Sequence, residues 1–176
     1  MRICIYGAAS QKIDEKYMKD LEKLGTALAK AGHSLIFGGG GSGMMGAAAR
    51  GFTEGSGAVL GVIPYFIGDF EPVYDKCTYI IKTETMAERK QIMEDNADAF
   101  LIAPGGIGTF DEFFQCLTLK QLDRHNHPII LYNAFGYFDP LNDYIHSCIE
   151  KKFISQRTTS LYAVCNSIQD VMKALE

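Results

Sequence analysis

Short apolar runs alternate along the chain with longer segments in which apolar residues return every three or four positions. Seven runs read as strands: Arg2–Tyr6, Ser34–Phe37, Val59–Ile63, Tyr79–Lys82, Ala99–Ala103, Ile129–Tyr132 and Leu161–Val164. Their apolar character is continuous rather than alternating, as expected of parallel strands covered on both faces. The segments between them carry helical periodicity. Over Asp14–Ala31, Tyr17, Leu21, Leu24, Leu28 and Ala31 fall on one face, and Gly32 supplies a stop. Further helices are predicted over Met44–Gly55, Glu84–Ala97, Thr109–Leu122, Asp139–Lys152 and Ile168–Leu175. The small residues of Met44–Gly55 predict close packing on the sheet. Repeated βα units imply an α/β fold, a right-handed, doubly wound parallel sheet of about seven strands. With no linker, repeat or low-complexity stretch, residues 1–176 read as a single domain.

The ligands of such sheets bind beyond the carboxyl ends of the strands. Three glycine-rich stretches fall there: "GAAS" (7–10), "GGGGSGMMG" (38–46) and "PGGIGT" (104–109). The longest irregular piece, "YFIGDFEPVYDKCT" (65–78), is of a length that is often functional.

Glycines let backbone N–H groups approach a ligand, and a helix start adds unpaired donors and a positive dipole end. Gly105, Gly106, Gly108 and Thr109 therefore make a phosphate cradle, or else only a tight strand–helix connection. Thr109-x-x-Glu112 fits a capping box, which would make Glu112 a helix-start residue. A carboxylate there can also serve chemistry, and beside a phosphate it calls for a nearby cation. "TETMAERKQIM" (83–93) offers one. Met86, Arg89, Lys90 and Met93 share a helical face, and the two methionines predict that this face points inward. Arg89 or Lys90 then needs an anion, Glu112 or a substrate, unless it snorkels at the edge of the core. Gly41-x-Gly43-x-x-Gly46 matches the dinucleotide fingerprint in form. It follows the second strand, and no acid ends the next strand, so it reads as a phosphate or ribose contact rather than an NAD site.

Net charge is −4, which disfavours a broad nucleic-acid surface but not a small anionic ligand. No apolar run is long enough to span a bilayer, and "MRICIYGAAS" lacks the pattern of a secretory signal. The five cysteines are dispersed without CxxC spacing and read as reduced thiols of a cytoplasmic protein. The four histidines, with His125 and His127 expected at the surface, form no metal-ligand pattern. Ser10 has no His/Asp partner in sequence, and no lysine is marked as a pyridoxal-phosphate site.

"PGGIGTFDE" together with "MAERK" resembles the LONELY GUY (LOG) family of cytokinin riboside 5′-monophosphate phosphoribohydrolases, members of which are often labelled lysine decarboxylases. The resemblance extends through "FGGGGSGMMG", "GVIP" and "HPIILYNAFGYFDPLNDYIHSCIEKKFI". It implies a Rossmann-like fold, a homodimer, and hydrolysis of an adenine-type nucleoside 5′-monophosphate to free base and ribose 5-phosphate, without metal or cofactor. It also implies Arg89 and Glu112 as the catalytic pair. Implied substrate contacts are Glu71, Met86, Lys90, Gly105, Gly106, Ile107, Gly108, Thr109, Phe110, Asp111 and Thr118, with Gly39, Gly40 and Ser10 from the other glycine loops. "GAAS" stands where relatives commonly carry a double serine, and Asp111 replaces a frequent glutamate. The segment between Glu71 and Met86 is unlike the plant enzymes. A nucleotide or molybdenum-cofactor carrier that does not hydrolyse its ligand is the alternative.

Overall fold

The computed structural model describes residues 1–66 and 72–176. Among these residues, seven strands form one parallel sheet: β1 (Arg2–Tyr6), β2 (Ser34–Phe37), β3 (Val59–Pro64), β4 (Tyr79–Thr83), β5 (Ala99–Ile102), β6 (Ile129–Tyr132) and β7 (Ala163–Cys165). Their order is β4-β3-β2-β1-β5-β6-β7. The chain winds outward from β1 to β4, then crosses back and continues from β5 on the other side of β1. Strand order therefore reverses between β1 and β5, and a crevice opens at their carboxyl ends.

Among the described residues, six helices cover the sheet: α1 (Glu15–Lys30), α2 (Gly43–Glu54), α3 (Met86–Asp95), α4 (Ile107–Gln121), α5 (Asp139–Glu150) and α6 (Ile168–Ala174). One core, with Ile3, Leu24, Phe37, Phe52 and Leu101, lies under α1, α2 and α6. The other, with Tyr6, Phe100, Met93, Phe113 and Ile145, lies under α3, α4 and α5. The central strands are buried except at Arg2 and Ser34, which open β1 and β2, consistent with their continuous apolar sequences. The edge strands β4 and β7 are the exceptions, with Tyr79 69%, Ile80 46% and Val164 38% exposed.

Helix α1 begins at Asp14, whose carboxylate accepts the Lys16 N–H at 3.0 Å. It ends as predicted at Gly32, which takes the left-handed φ of +85° that only glycine adopts without strain. The small residues of α2 do more than approach the sheet. A Cβ on Gly25 of α1 would stand 2.9 Å from the Ala48 carbonyl of α2, so the backbones of the two helices nearly touch.

Several segments depart from the sequence expectation; α3 starts two residues later and α4 two residues earlier than predicted. Strand β7 starts two residues later than predicted, because 156–160 coil into a 3-10 turn that runs to Leu161. His125 and His127 are half-buried rather than superficial. Their rings stack at 5.4 Å and pack against Phe100, while a His125 ring nitrogen lies 3.0 Å from the Cys116 carbonyl.

Candidate active site

The three glycine loops meet at the reversal point. The Ala8 N–H donates to the Pro104 carbonyl at 3.2 Å, and Gln11 Nε2 to Ser42 Oγ at 2.8 Å. A cleft of about 400 Å³ is left between them. It is lined by Gly7 to Ser10, by Gly38, Gly40 and Met45, by Arg89, and by Gly106, Gly108, Thr109 and Glu112.

Two glycine-rich helix starts face this cleft, and they differ in how their amides are engaged. At α2 the Met44 and Met45 amides both bond the Ala8 carbonyl, at 2.8 and 3.4 Å. Gly43 has φ +56° and sits so tightly that a Cβ would fall 2.5 Å from the Ala8 oxygen. Gly43 packs against the first loop, and the Gly41 N–H donates to the Pro72 carbonyl at 2.7 Å, so both serve contact between segments. At α4 the N-cap is Gly106, which brings no side-chain cap. Among the described residues, the amides of Gly106, Ile107, Gly108 and Thr109 make no intramolecular hydrogen bond, and the first internal one runs from Phe110 to the Gly106 carbonyl. Unpaired donors of Gly106, Gly108 and Thr109, which line the cleft, and the positive end of a 15-residue helix therefore lie at the cleft.

The expected capping box does not form at α4. The helix starts two residues before Thr109, which then lies inside the first turn with its side chain buried under Gly105. Glu112 is released from capping and lies one turn further on, half-buried at the cleft wall. The same sequence signature is real one helix earlier. Thr85 Oγ1 accepts the Glu88 N–H at 3.1 Å, and Glu88 reaches back to the Glu84 N–H at 2.8 Å. That cap fixes the start of α3 and hence the position of Arg89.

Arg89 crosses the carboxyl ends of two strands. Its Nε donates to the Val62 carbonyl at 3.1 Å, its Nη2 to the Gly38 carbonyl at 3.2 Å, and its Nη1 meets Met86 Sδ at 3.8 Å. Among the described residues, no carboxylate lies within 4.0 Å of it. The guanidinium is oriented by neutral acceptors and keeps its charge for the cleft. Gly38 makes this possible, since a Cβ there would overlap Arg89 Nη2.

Burial pushes the Glu112 carboxyl up to about 7. The charges of Arg89 and Lys90 pull the other way but do not overcome it. Arg89 favours the carboxylate, but its effect is subordinate to desolvation. At neutral pH the group is poised between its two forms.

Lys90 does not enter the cleft. Its Nζ pairs with Asp111 and lies 3.2 Å from Gln115 Oε1, joining α3 to α4, and Gln115 in turn donates to Glu94. Met86 is 38% exposed, so only Met93 of the predicted inward stripe is buried. Ser10 and Gly40 line the cleft, and Gly39 turns the chain at φ +80° beside Ile63. Phe110 packs edge-on against Phe138 at 6.4 Å. Ile107, Asp111 and Thr118 are exposed on α4, and Gly105 is buried beneath the cleft floor. Glu71 lies outside the described residues. Sequence reasoning passed over Met45, the Val62 carbonyl and the Gly38–Arg89 fit. A glycine ending an apolar strand run was the one available signal for the last of these.

The family model described as "Possible lysine decarboxylase" matches residues 45–175. A protein named cytokinin riboside 5′-monophosphate phosphoribohydrolase from Mycobacterium tuberculosis is 34% identical over 172 residues, covering 98% of this chain and 91% of its own. The protein of the same name from Rhodococcoides fascians is 36% identical over 161 residues, covering 91% and 81%. Arabidopsis thaliana LOG3 is 30% identical over 175 residues, covering 99% and 81%. Among solved structures, the molybdenum cofactor carrier protein of Chlamydomonas reinhardtii superposes with a TM-score of 0.77 at 21% identity, covering 99% of this chain and 94% of its own, a likeness of fold. Matched along almost its whole length by these relatives, and carrying both motifs in one cleft, the chain belongs to the LOG family of phosphoribohydrolases.

Proposed function

We propose that the protein hydrolyses the N-glycosidic bond of adenine-type nucleoside 5′-monophosphates, AMP or a cytokinin riboside 5′-monophosphate, giving free base and ribose 5-phosphate. One observation carries this reading: open amides of Gly106, Gly108 and Thr109 at the start of α4, an arginine free of carboxylate partners among the described residues, and a carboxyl poised near neutrality share one cleft. The 5′-phosphate docks on the 106–109 amides, converting binding energy into placement of C1′. As the C1′–N9 bond breaks, its electron pair leaves with the base and positive charge builds on the ribose. Glu112 stabilises that charge and takes a proton from the attacking water, whose oxygen forms the new bond to C1′. The departing nitrogen takes up a proton, so one water is consumed per base released. Arg89 holds the substrate and opposes protonation of Glu112. Neither metal nor cofactor has a part in this scheme.

The test is a panel of AMP, prenylated AMP, other nucleoside monophosphates and adenosine, scored for free base. Base release from the adenine-type monophosphates and not from adenosine is expected. Tight nucleotide binding with no ribose 5-phosphate formed would instead identify a carrier, the function named for the structurally similar algal protein.

We also place the protein in the cytoplasm, where its five cysteines, all free thiols, are compatible with the redox state. No helix among the described residues is long and apolar enough to cross a membrane. We propose further that it is a homodimer. Ile107 and Phe114 of α4 and Leu122 at its C-cap are 84%, 40% and 61% exposed, an apolar surface suited to a second copy. Sedimentation should give twice the 19.5 kDa chain mass, and the single-chain mass would refute the dimer.

A further inference from the structure

We propose that Tyr137 is a positioning residue of this site: by holding the Gly105 carbonyl, it keeps the neighbouring amide turned toward the substrate phosphate. The proposal rests on the phosphate-docking reading above and assigns a residue that lies outside the cleft.

The peptide between Gly105 and Gly106 is flanked by two residues without a Cβ, so little in its own sterics fixes which way it faces. Its orientation decides whether an N–H or a C=O is presented to an anion. The bond is trans, so the carbonyl of Gly105 and the amide of Gly106 point in opposite directions. Tyr137 Oη donates to the Gly105 carbonyl at 2.7 Å. Gly105 is buried and Gly106 exposed, lining the cleft. The bonded carbonyl is therefore on the protein side and the amide on the ligand side. A flip would break the tyrosine bond and turn an oxygen toward the phosphate.

The tyrosine is itself delivered by a rigid turn. Asn133, 4% exposed at the end of β6, donates to Asp139 Oδ1 at 2.7 Å and Asn166 Oδ1 at 2.9 Å, and accepts the Phe138 N–H at 2.6 Å. Between Asn133 and Phe138 the chain passes through Phe135 at φ 56° and Gly136 at φ 72°. A left-handed phenylalanine is unfavourable and persists only where its surroundings impose it. Phe135 is 56% exposed, with its ring edge-on to Tyr17 at 5.2 Å. What the turn achieves is the placement of Tyr137, whose ring is packed edge-on by Tyr17 at 5.9 Å and by Phe138 at 5.0 Å.

The test is Tyr137→Phe, which keeps the ring packing and removes only the hydroxyl. Binding of ribose 5-phosphate and of adenosine is measured by calorimetry, together with steady-state base release from AMP. The affinity for ribose 5-phosphate should fall about tenfold, the worth of one hydrogen bond to an oriented peptide. The KM for AMP should rise by a similar factor while kcat carries little of the loss, and adenosine binding should not change. Equal weakening of ribose 5-phosphate and adenosine would reveal a general structural role and overturn the proposal, as would an unaltered ribose 5-phosphate affinity. If the wild-type protein binds neither ribose 5-phosphate nor inorganic phosphate, the docking reading fails and this role fails with it. That outcome is visible before any variant is made.

Discussion

Glu112→Gln should reduce base release by two to four orders of magnitude while leaving nucleotide binding nearly intact. The amide keeps the shape and the hydrogen-bonding capacity of the side chain. It cannot carry the negative charge that faces the developing oxocarbenium ion, nor accept a proton from water, and a positioned acid–base group contributes about 10²–10⁴-fold. The same variant should be more stable than the wild type at alkaline pH. The folded-state pKa of Glu112 is raised from 4.5 to about 7 by burial, so between these values the folded protein holds more protons than the unfolded chain. Wild-type stability therefore falls as pH rises through that window, and the glutamine variant lacks this component of the fall. Thermal melts at pH 5 and pH 8 should show a difference in favour of Glu112→Gln that widens with pH. A difference that narrows would mean that Arg89 and its surroundings stabilise the carboxylate rather than burial disfavouring it. Turnover retained in the variant would remove Glu112 from the chemistry.

Gly38→Ala should disable the enzyme without unfolding it. The new methyl group would occupy the volume of Arg89 Nη2, the mobile end of a long side chain, and approach the methyl carbon of Met45 at 2.9 Å. The backbone at Gly38 is not in the left-handed region, so alanine brings no conformational strain there. The inexpensive adjustment is for Arg89 to swing away, abandoning the Val62 and Gly38 carbonyls that aim it. Activity should then drop toward that of Arg89→Ala, by about 10²-fold or more as expected for loss of an oriented charge in a partly desolvated site. The melting temperature should shift by only a few degrees. The double variant Gly38→Ala/Arg89→Ala should be no worse than Arg89→Ala alone, because the two changes act through one group. Additive losses would show that Gly38 acts on something other than the arginine.

The central strands were legible in the sequence because each is an apolar run bounded by polar or glycine positions, as at Ile129–Tyr132. The convergence of the glycine loops followed from the fold class alone. What remained hidden depends on contacts between distant segments. Thr85-x-x-Glu88 and Thr109-x-x-Glu112 are the same local pattern, yet only the first is a cap. The second fails because Gly106 and Ile107 already continue the chain into α4, and the space beneath Gly105 takes the Thr109 side chain. The glycines after β2 and β5 likewise look equivalent in sequence. Only the fold shows that the Ala8 carbonyl takes two amides of the first set and leaves those of the second open. Lys90 stands next to Arg89 and carries the same charge. The turn of the helix sends one to Asp111 and the other to the cleft.

The most direct measurement is a crystal structure of Glu112→Gln with AMP bound. The phosphate oxygens should lie within hydrogen-bonding reach of the 106–109 amides, with C1′ facing both residue 112 and the Arg89 guanidinium. A phosphate seated instead against the 38–43 loop, or an anomeric carbon turned away from those two side chains, would contradict the proposed site.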